Sequence, residues 1–236
     1  MSKHMKRLVA PKSWGVARKS SKWIAKPRAG PHGTESSVPM LVVLREMLEI
    51  CDNSREAKHI LGSKGVMVDG RIITDEKFPV GLMDVVSILK TGDNYRMALD
   101  THGRLRLTPT TPEEAKMKLV RIENKTVLPK GKFQLNMHDG RNIILAKNQY
   151  KTGDVLKIEV PSQKILKQIQ FKEGNLALLI AGSHPGALVT VESFEIKKGS
   201  GQNLVGFKEG FSTVWDHVFV VGEKLPEVKL PEASAI

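Results

Sequence analysis

The chain has 236 residues, 40% of them hydrophobic, a formal net charge of +12 and one cysteine. That is enough for two or more small folded domains and argues against wholesale disorder, while the longest apolar runs, LVVL at 41–44 and LALLIA at 176–181, fall far short of the roughly 20 residues a membrane-spanning helix needs. Cys51 alone cannot close an intrachain disulfide, and no apolar signal-peptide core follows the basic start, so a reducing compartment is expected.

The first acidic residue is Glu35. Before it, Lys3, Lys6, Arg7, Lys12, Arg18, Lys19, Lys22, Lys26 and Arg28 supply nine positive charges, which leaves +3 for the 202 residues from Glu35 onward. Charge concentrated at one end points to a gripped polyanion, nucleic acid before anionic membrane. Pro11, Pro27, Pro31, Gly15, Gly30 and Gly33 interrupt the amphipathic helix that a transit peptide or a membrane-surface anchor needs. The segment has no sustained hydrophobic period, yet it holds Trp14 and Trp23, two of the three tryptophans. It reads as an extended arm over residues 1–36, disordered when alone and ordered on binding, with the indoles as anchors.

After PHGTESSVP, Leu41, Leu44, Leu48 and Cys51 recur at helical spacing behind Pro39 and predict a first short helix. Asn53 with Glu56 forms a capping-box pattern for a second helix from Ser54 to Leu61, stopped at Gly62. Ala57, Ile60 and Leu61 share its packing side, and Arg55, Lys58 and His59 share a cationic one. VMVDGRII reads as a hairpin turning at Asp69-Gly70, and DVVSI at 84–88 as a further strand.

From residue 100 onward short strands alternate with turn signals: RLRL, KLVRI, KFQLNM, DGRNIIL, DVLKIEV, ALLIAG, ALVTVESFEI and HVFVVG. This pattern predicts small β-barrels or sandwiches, with Thr111 and Glu114 capping a helical turn between the first two strands. A domain boundary is expected within 161–174, and the proline-containing end LPEVKLPEASAI reads as a loose tail.

The stretch SREAKHIL…KGVMVDGRII resembles the small RNA-binding module first recognised in bacterial small-subunit ribosomal protein four, matching at Ser54, Arg55, Ala57, Ile60, Gly65, Val66, Val68, Asp69, Gly70 and Arg71. The chain as a whole is similar to the archaeal and eukaryotic type of small-subunit ribosomal protein four. HMKRLVAPKSW, PRAGPH, FPVGLMDVV, LNMHDGRNI with YKTGDVL, and HVFVVG carry that resemblance in order along the chain, and the short C-terminus looks archaeal. FKEGNLALLIAGSHPGALVTVESF is similar to the family's KOW-type motif, with Gly174, Gly182 and Gly186 in the expected places. Val189 stands where a second loop glycine is expected, and Ala187 where the family has a basic residue.

The resemblance implies a multidomain α+β protein. Its parts are the basic arm (1–36), a helix-hairpin RNA-binding module (37–100), a β-rich central domain (101–170), a KOW-type SH3-like β-barrel (171–223) and a tail (224–236). It further implies a structural constituent of the cytoplasmic small ribosomal subunit, with small-subunit ribosomal RNA and neighbouring ribosomal proteins as partners. No cofactor, metal, membrane or small-molecule substrate is implied. The candidate RNA contacts are the nine arm cations with Trp14, Trp23 and His32, then Arg55, Lys58, Lys64 and Arg71 on the module, and Arg104, Arg106, His138 and Arg141 beyond it.

The alternatives are a free RNA-binding regulator or maturation factor and, more distantly, an RNA-modifying enzyme. Similar modules occur in pseudouridine synthases, whose catalytic aspartate follows an Arg-Leu pair; in HGRLRL at 102–107 that place is held by Arg106, which is neither nucleophile nor base at neutral pH. Asp139-Gly140 beside His138 is a hairpin signal before it is a catalytic pair. GSGQNLVG at 199–206 lacks the third glycine of a dinucleotide loop because Leu204 stands there, and it reads as a flexible hairpin loop.

Overall fold

In the computed structural model, which describes residues 4–199 and 201–231, the chain forms two units. The first comprises Met1–Ala98, Arg104–Lys118 and Val160–Ser162; the second comprises Leu99–Gly103, Leu119–Glu159 and Gln163–Ile236.

The arm belongs to the first unit and is folded there. β1 (Met5–Lys6) pairs antiparallel with β2 (Trp23–Ile24), and 3-10 turns at Arg7–Val9 and Lys12–Trp14 shape the chain between them. This departs from the expected extended, disordered arm for two physical reasons. The Arg7 side chain is 4% exposed because the Glu46 carboxylate and the Ala17 carbonyl satisfy its guanidinium, and Trp14, 1% exposed, removes its whole indole from water.

β3 (Ser37–Pro39) runs into α1 (Met40–Val42), which continues as one π-helical turn, Val43–Met47. Pro39 keeps the N-cap extended, and the first free amides donate elsewhere, Met40 to Phe78 O at 2.9 Å and Leu41 to Glu76 O at 2.8 Å. Leu41 and Leu44 are buried as their spacing predicts. The helix nevertheless stops before Leu48 and Cys51, and Glu49 adopts the left-handed conformation that ends helices.

α2 (Ser54–Gly62) starts where its cap predicts: Asn53 Oδ1 accepts from the amides of Arg55 (2.9 Å) and Glu56 (3.1 Å). Glu56 reaches back one residue further than a capping box, accepting from the Asp52 amide at 2.8 Å. The helix buries Ala57 and Leu61 and exposes Arg55, Lys58 and His59.

β4 (Val66–Val68) and β5 (Arg71–Ile72) form the predicted hairpin, with Asp69 at φ 50° and Gly70 at φ 72° supplying the two positive φ angles of a type I′ turn. β6 (Pro79–Gly81) pairs with β3. β7 (Val85–Ile88), β8 (Asn94–Leu99) and β9 (Leu105–Pro109) complete a five-stranded sheet in the order β5-β4-β7-β8-β9. RLRL, expected to open a separate central domain at 101, instead leads into β9, the edge strand of the sheet that holds the β4–β5 hairpin. Thr111 Oγ1 accepts from the Glu114 amide at 3.4 Å and heads the short turn Glu114–Lys116.

In the second unit, β10 (Met117–Leu128, its first two residues lying in the first unit), β11 (Lys132–Met137), β12 (Asn142–Leu145), β13 (Val155–Glu159) and β14 (Ile165–Ile169) form a sheet ordered β12-β11-β10-β13-β14. β15 (Leu176–Leu179), β16 (Leu188–Glu195), β17 (Leu204–Phe207), β18 (Ser212–Val214) and β19 (Val218–Gly222) form another, ordered β18-β17-β16-β15-β19. Ala187 and Val189 lie in the core of this second sheet with Val191, Val205 and Phe207.

The segment 196–203, which includes part of GSGQNLVG, joins the antiparallel pair β16 and β17. Residues 224–231 are less loose than expected: Glu227 accepts from Lys157 at 2.8 Å and Lys167 at 2.7 Å, and Val228 is buried. These two lysines hold the Glu227 carboxyl below its ordinary range.

Candidate nucleic-acid interface

The arm presents its cations in two ways. Lys6, Lys12, Lys19 and Lys22 are exposed and form no side-chain ion pair among the described residues. Trp23, opposite Lys6 in the β1–β2 pair, is 52% exposed, with Lys22 Nζ 5.4 Å from its ring centre and the His4 ring 5.9 Å away. The arginines are turned inward or paired. Arg18 donates to Ala10 O at 2.9 Å and so closes the arm on itself. Arg28 is exposed but paired with Asp75 at 2.8 Å, and Lys26 is half-buried. Lys3 lies outside the described residues.

Three residues expected at the RNA surface are placed in the interior instead. Arg7 and Trp14 are buried as described, and the His32 side chain, 3% exposed, faces Asp84 at 3.0 Å. His32 joins a buried charge cluster. Lys118, 1% exposed, lies 2.7 Å from Asp69 and 2.5 Å from Asp84, and the amides of Val85 and Gly81 donate to the same two carboxylates. Burial alone would push the Asp84 carboxyl up; the Lys118 ammonium and then His32 reverse this and hold it well below the usual carboxylate range. The cluster ties the arm, the hairpin turn and the start of β10 into one unit, and the sequence gives no periodic signal for it.

On the module, Arg55, Lys64 and Arg71 are exposed, and Lys58 is 62% exposed with a loose 3.4 Å pair to Glu76. Lys64 sits at φ 57°, just beyond the helix, so helix and hairpin cations occur together on a pre-folded scaffold. Arg104 and Arg106, both exposed, line a groove of about 830 Å³ with Arg45, Tyr95, Trp14 and Leu107. Glu46 and Glu49 also line it. Glu46 is spanned by Arg7 and Arg45; burial would raise its carboxyl, and the two guanidiniums outweigh burial and lower it.

In the second unit the two other candidates are structural. His138 Nδ1 accepts from the Arg121 amide at 3.1 Å, and its ring meets Phe219 edge-on at 5.4 Å. Arg141 is 11% exposed and pairs with Asp139, itself buried, at 2.9 Å across the β11–β12 turn. Asp139 thus acts in the turn, as its sequence context indicates, and its charge is neutralised locally.

Residues 1–35 match the RS4NT domain and residues 91–165 match the Ribosomal family S4e. The chain is 42% identical to the small ribosomal subunit protein eS4 of Methanothermobacter thermautotrophicus over 97% of its own length and 96% of the relative's, and 43% identical to that of Archaeoglobus fulgidus over 94% of each. Among solved structures, the crystal structure of the 30S ribosomal protein S4e from Thermoplasma acidophilum matches with a TM-score of 0.72 and 42% identity, covering 82% of this chain and 99% of that one. The arm, the helix-hairpin and the β-rich remainder are therefore those of one lineage: the chain belongs to the S4e family of ribosomal proteins.

Proposed function

We propose that this protein is a structural, non-catalytic constituent of the small ribosomal subunit in the cytoplasm, where it binds and positions ribosomal RNA beside neighbouring ribosomal proteins. The observation that carries the reading is an arm that exposes four lysines without side-chain ion pairs among the described residues, two of them, Lys6 and Lys22, beside the half-exposed Trp23, in a chain related along almost its whole length to proteins named for that subunit. Residues 37–100, with β9 completing their sheet, act as the ribosomal-protein-four-like RNA module and 171–223 as the KOW-type SH3-like barrel.

The mechanism is electrostatic positioning. Lys6, Lys12, Lys19 and Lys22 meet phosphates, Trp23 stacks on an exposed base or packs against a ribose, and Arg55, Lys58, Lys64 and Arg71 supply a second, rigid cationic face. Arg104 and Arg106 extend the contact at the edge strand. Arg7, Trp14 and His32 hold the arm in place so that the lysines arrive pre-organised; His138 and Arg141 do the same for the β-rich region.

The test is mass spectrometry of salt-washed small subunits from the source organism, quantifying this chain against core ribosomal proteins. Stoichiometric recovery supports a constitutive component. Its recovery only as free protein or on immature particles overturns the reading in favour of a maturation factor.

A further inference from the structure

Beyond the arm, positive charge is concentrated in one other place. Residues 124–152 hold Lys125, Lys130, Lys132, Arg141, Lys147 and Lys151 against a single acid, Asp139, for a net +5, so the other 173 residues from Glu35 onward sum to −2. Asp139 is buried and pairs with Arg141 at 2.9 Å. Lys130, Lys132, Lys147 and Lys151 are exposed and form no side-chain ion pair among the described residues.

The backbone gathers three of these charges, Lys130, Lys132 and Lys147, at one tip. β10 carries a register shift between Ile122 and Asn124, and Asp154 and Gly153 bond across Ile122, so the five residues of β13 border only the first half of β10. From Asn124 to Leu128 the strand is flanked by β11 alone, and β11 by β12: a three-stranded projection. Phe133 faces Leu145 and Leu128 faces Lys132, which brings the Pro129–Gly131 turn with Lys130, the start of β11 with Lys132, and the chain after β12 with Lys147 to the same end. Both faces open to solvent near this end, with Val127 70% and Ile144 57% exposed.

The alternation of the strands gives one face a distinct chemistry. Asn124 and Asn136 face each other, Thr126 faces Gln134, and Asn142 faces Asn136, so five neutral donor–acceptor side chains share one surface with Ile144, which faces Gln134, and no acid stands among them. They are held in place laterally, Gln134 Nε2 to Asn136 Oδ1 at 2.7 Å and Asn136 Nδ2 to Thr126 Oγ1 at 3.2 Å. Amide and hydroxyl groups that both donate and accept suit ribose 2′-hydroxyls in the wide, shallow minor groove of an RNA helix, and lysines at the rim suit its phosphates.

We infer that residues 124–147 form a further RNA-binding element, a β projection that lies in the minor groove of a helical ribosomal RNA segment, with Lys130, Lys132 and Lys147 on phosphates and the Asn/Gln face on 2′-hydroxyls. The inference rests on the RNA-binding reading above and adds a site to it. An acidic protein segment would also match the lysines, but it has no use for an amide row and would seek the apolar Val127–Phe133–Leu145 face.

The experiment compares three full-length proteins with the wild type in binding to a small-subunit ribosomal RNA transcript, with hydroxyl-radical footprinting: Lys130→Gln/Lys132→Gln/Lys147→Gln, Gln134→Ala/Asn142→Ala, and an arm control, Lys6→Gln/Lys19→Gln/Lys22→Gln. The expected result is a loss of about tenfold or more for the projection lysines with a salt slope shallower by about two to three. The amide variant should lose a helical footprint that the arm control retains. Unchanged binding and footprint in both projection variants, with the arm control weakened, overturns this inference alone. No effect in any of the three overturns the RNA-binding reading itself. Unchanged RNA affinity with loss from assembled particles assigns the projection to a protein partner and also overturns the inference.

Discussion

Asp69 Oδ2 accepts from Lys118 Nζ at 2.7 Å, so the residue that turns the β4–β5 hairpin also neutralises a lysine that is 1% exposed. Asp69→Asn separates the two roles, because asparagine suits the same positive-φ turn and can still accept from the Val85 amide. The charge is lost, and with it the acceptor that Oδ2 offers Lys118, because the asparagine NH2 stands in its place. A buried cation left short of one counter-ion costs about 3 kcal/mol, so the variant should unfold at correspondingly lower urea concentration with an unchanged m-value. A shift under about 0.5 kcal/mol would mean that Asp84 alone satisfies Lys118.

The two arm tryptophans should part company. Trp14→Ala empties a fully buried site and is expected to lower stability by about 3–5 kcal/mol. Trp23→Ala removes an exposed ring and one exposed cation–π contact, so stability should move by less than about 1 kcal/mol. RNA affinity should fall roughly tenfold for Trp23→Ala, the loss expected for one stacking contact. Thermal unfolding and filter binding on the same two proteins check both statements; equal stability losses would remove the distinction between core and contact.

Acid should weaken the first unit in a defined window. Asp84 and Glu46 both have folded-state pKa values below their ordinary ones, because Lys118 with His32 and Arg7 with Arg45 outweigh the opposing effect of burial. An unfolded chain takes up these protons near pH 4 while the folded chain stays ionised. The stabilisation is therefore complete above that range and lost as pH falls through it toward the folded values. Glu46→Gln should be less stable than wild type at pH 7, with the gap closing as pH is lowered from about 5 to 3 in urea titrations. A gap that stays constant over that range would show that the Glu46 charge adds nothing to its hydrogen bonds.

Much of the fold was legible because its signals are local. Asn53 and Glu56, Asp69-Gly70, and the alternating runs from KLVRI to HVFVVG each depend on neighbours along the chain, and the elements start and turn where those residues indicate. What could not be read is what distant segments do to one another. Nothing local to Arg7, Trp14 or His32 says that Glu46 and Asp84 wait in the fold to bury them. Lys118 looks like any strand lysine until Asp69 and Asp84 surround it. The lysines at 125–151 are a different case: their density is visible along the chain, but the convergence of Lys130, Lys132 and Lys147 exists only in the strand register.

If the arm grips RNA as proposed, its electrostatic contribution rests on Lys6, Lys12, Lys19 and Lys22, which form no side-chain ion pair among the described residues, and not on Arg7, whose charge is spent on Glu46. Each phosphate contact steepens the dependence of log affinity on log salt by somewhat under one. Replacing all four with glutamine should reduce that slope by about three and shrink the loss of affinity between ~50 and ~200 mM salt by about a hundredfold. Because these side chains are exposed and unpaired, the unfolding midpoint should stay where it is. Salt titrations of RNA binding, run beside thermal unfolding, measure both. A slope that survives the four substitutions would place the arm's lysines away from the phosphates and leave the module's Arg55, Lys64 and Arg71 as the main grip.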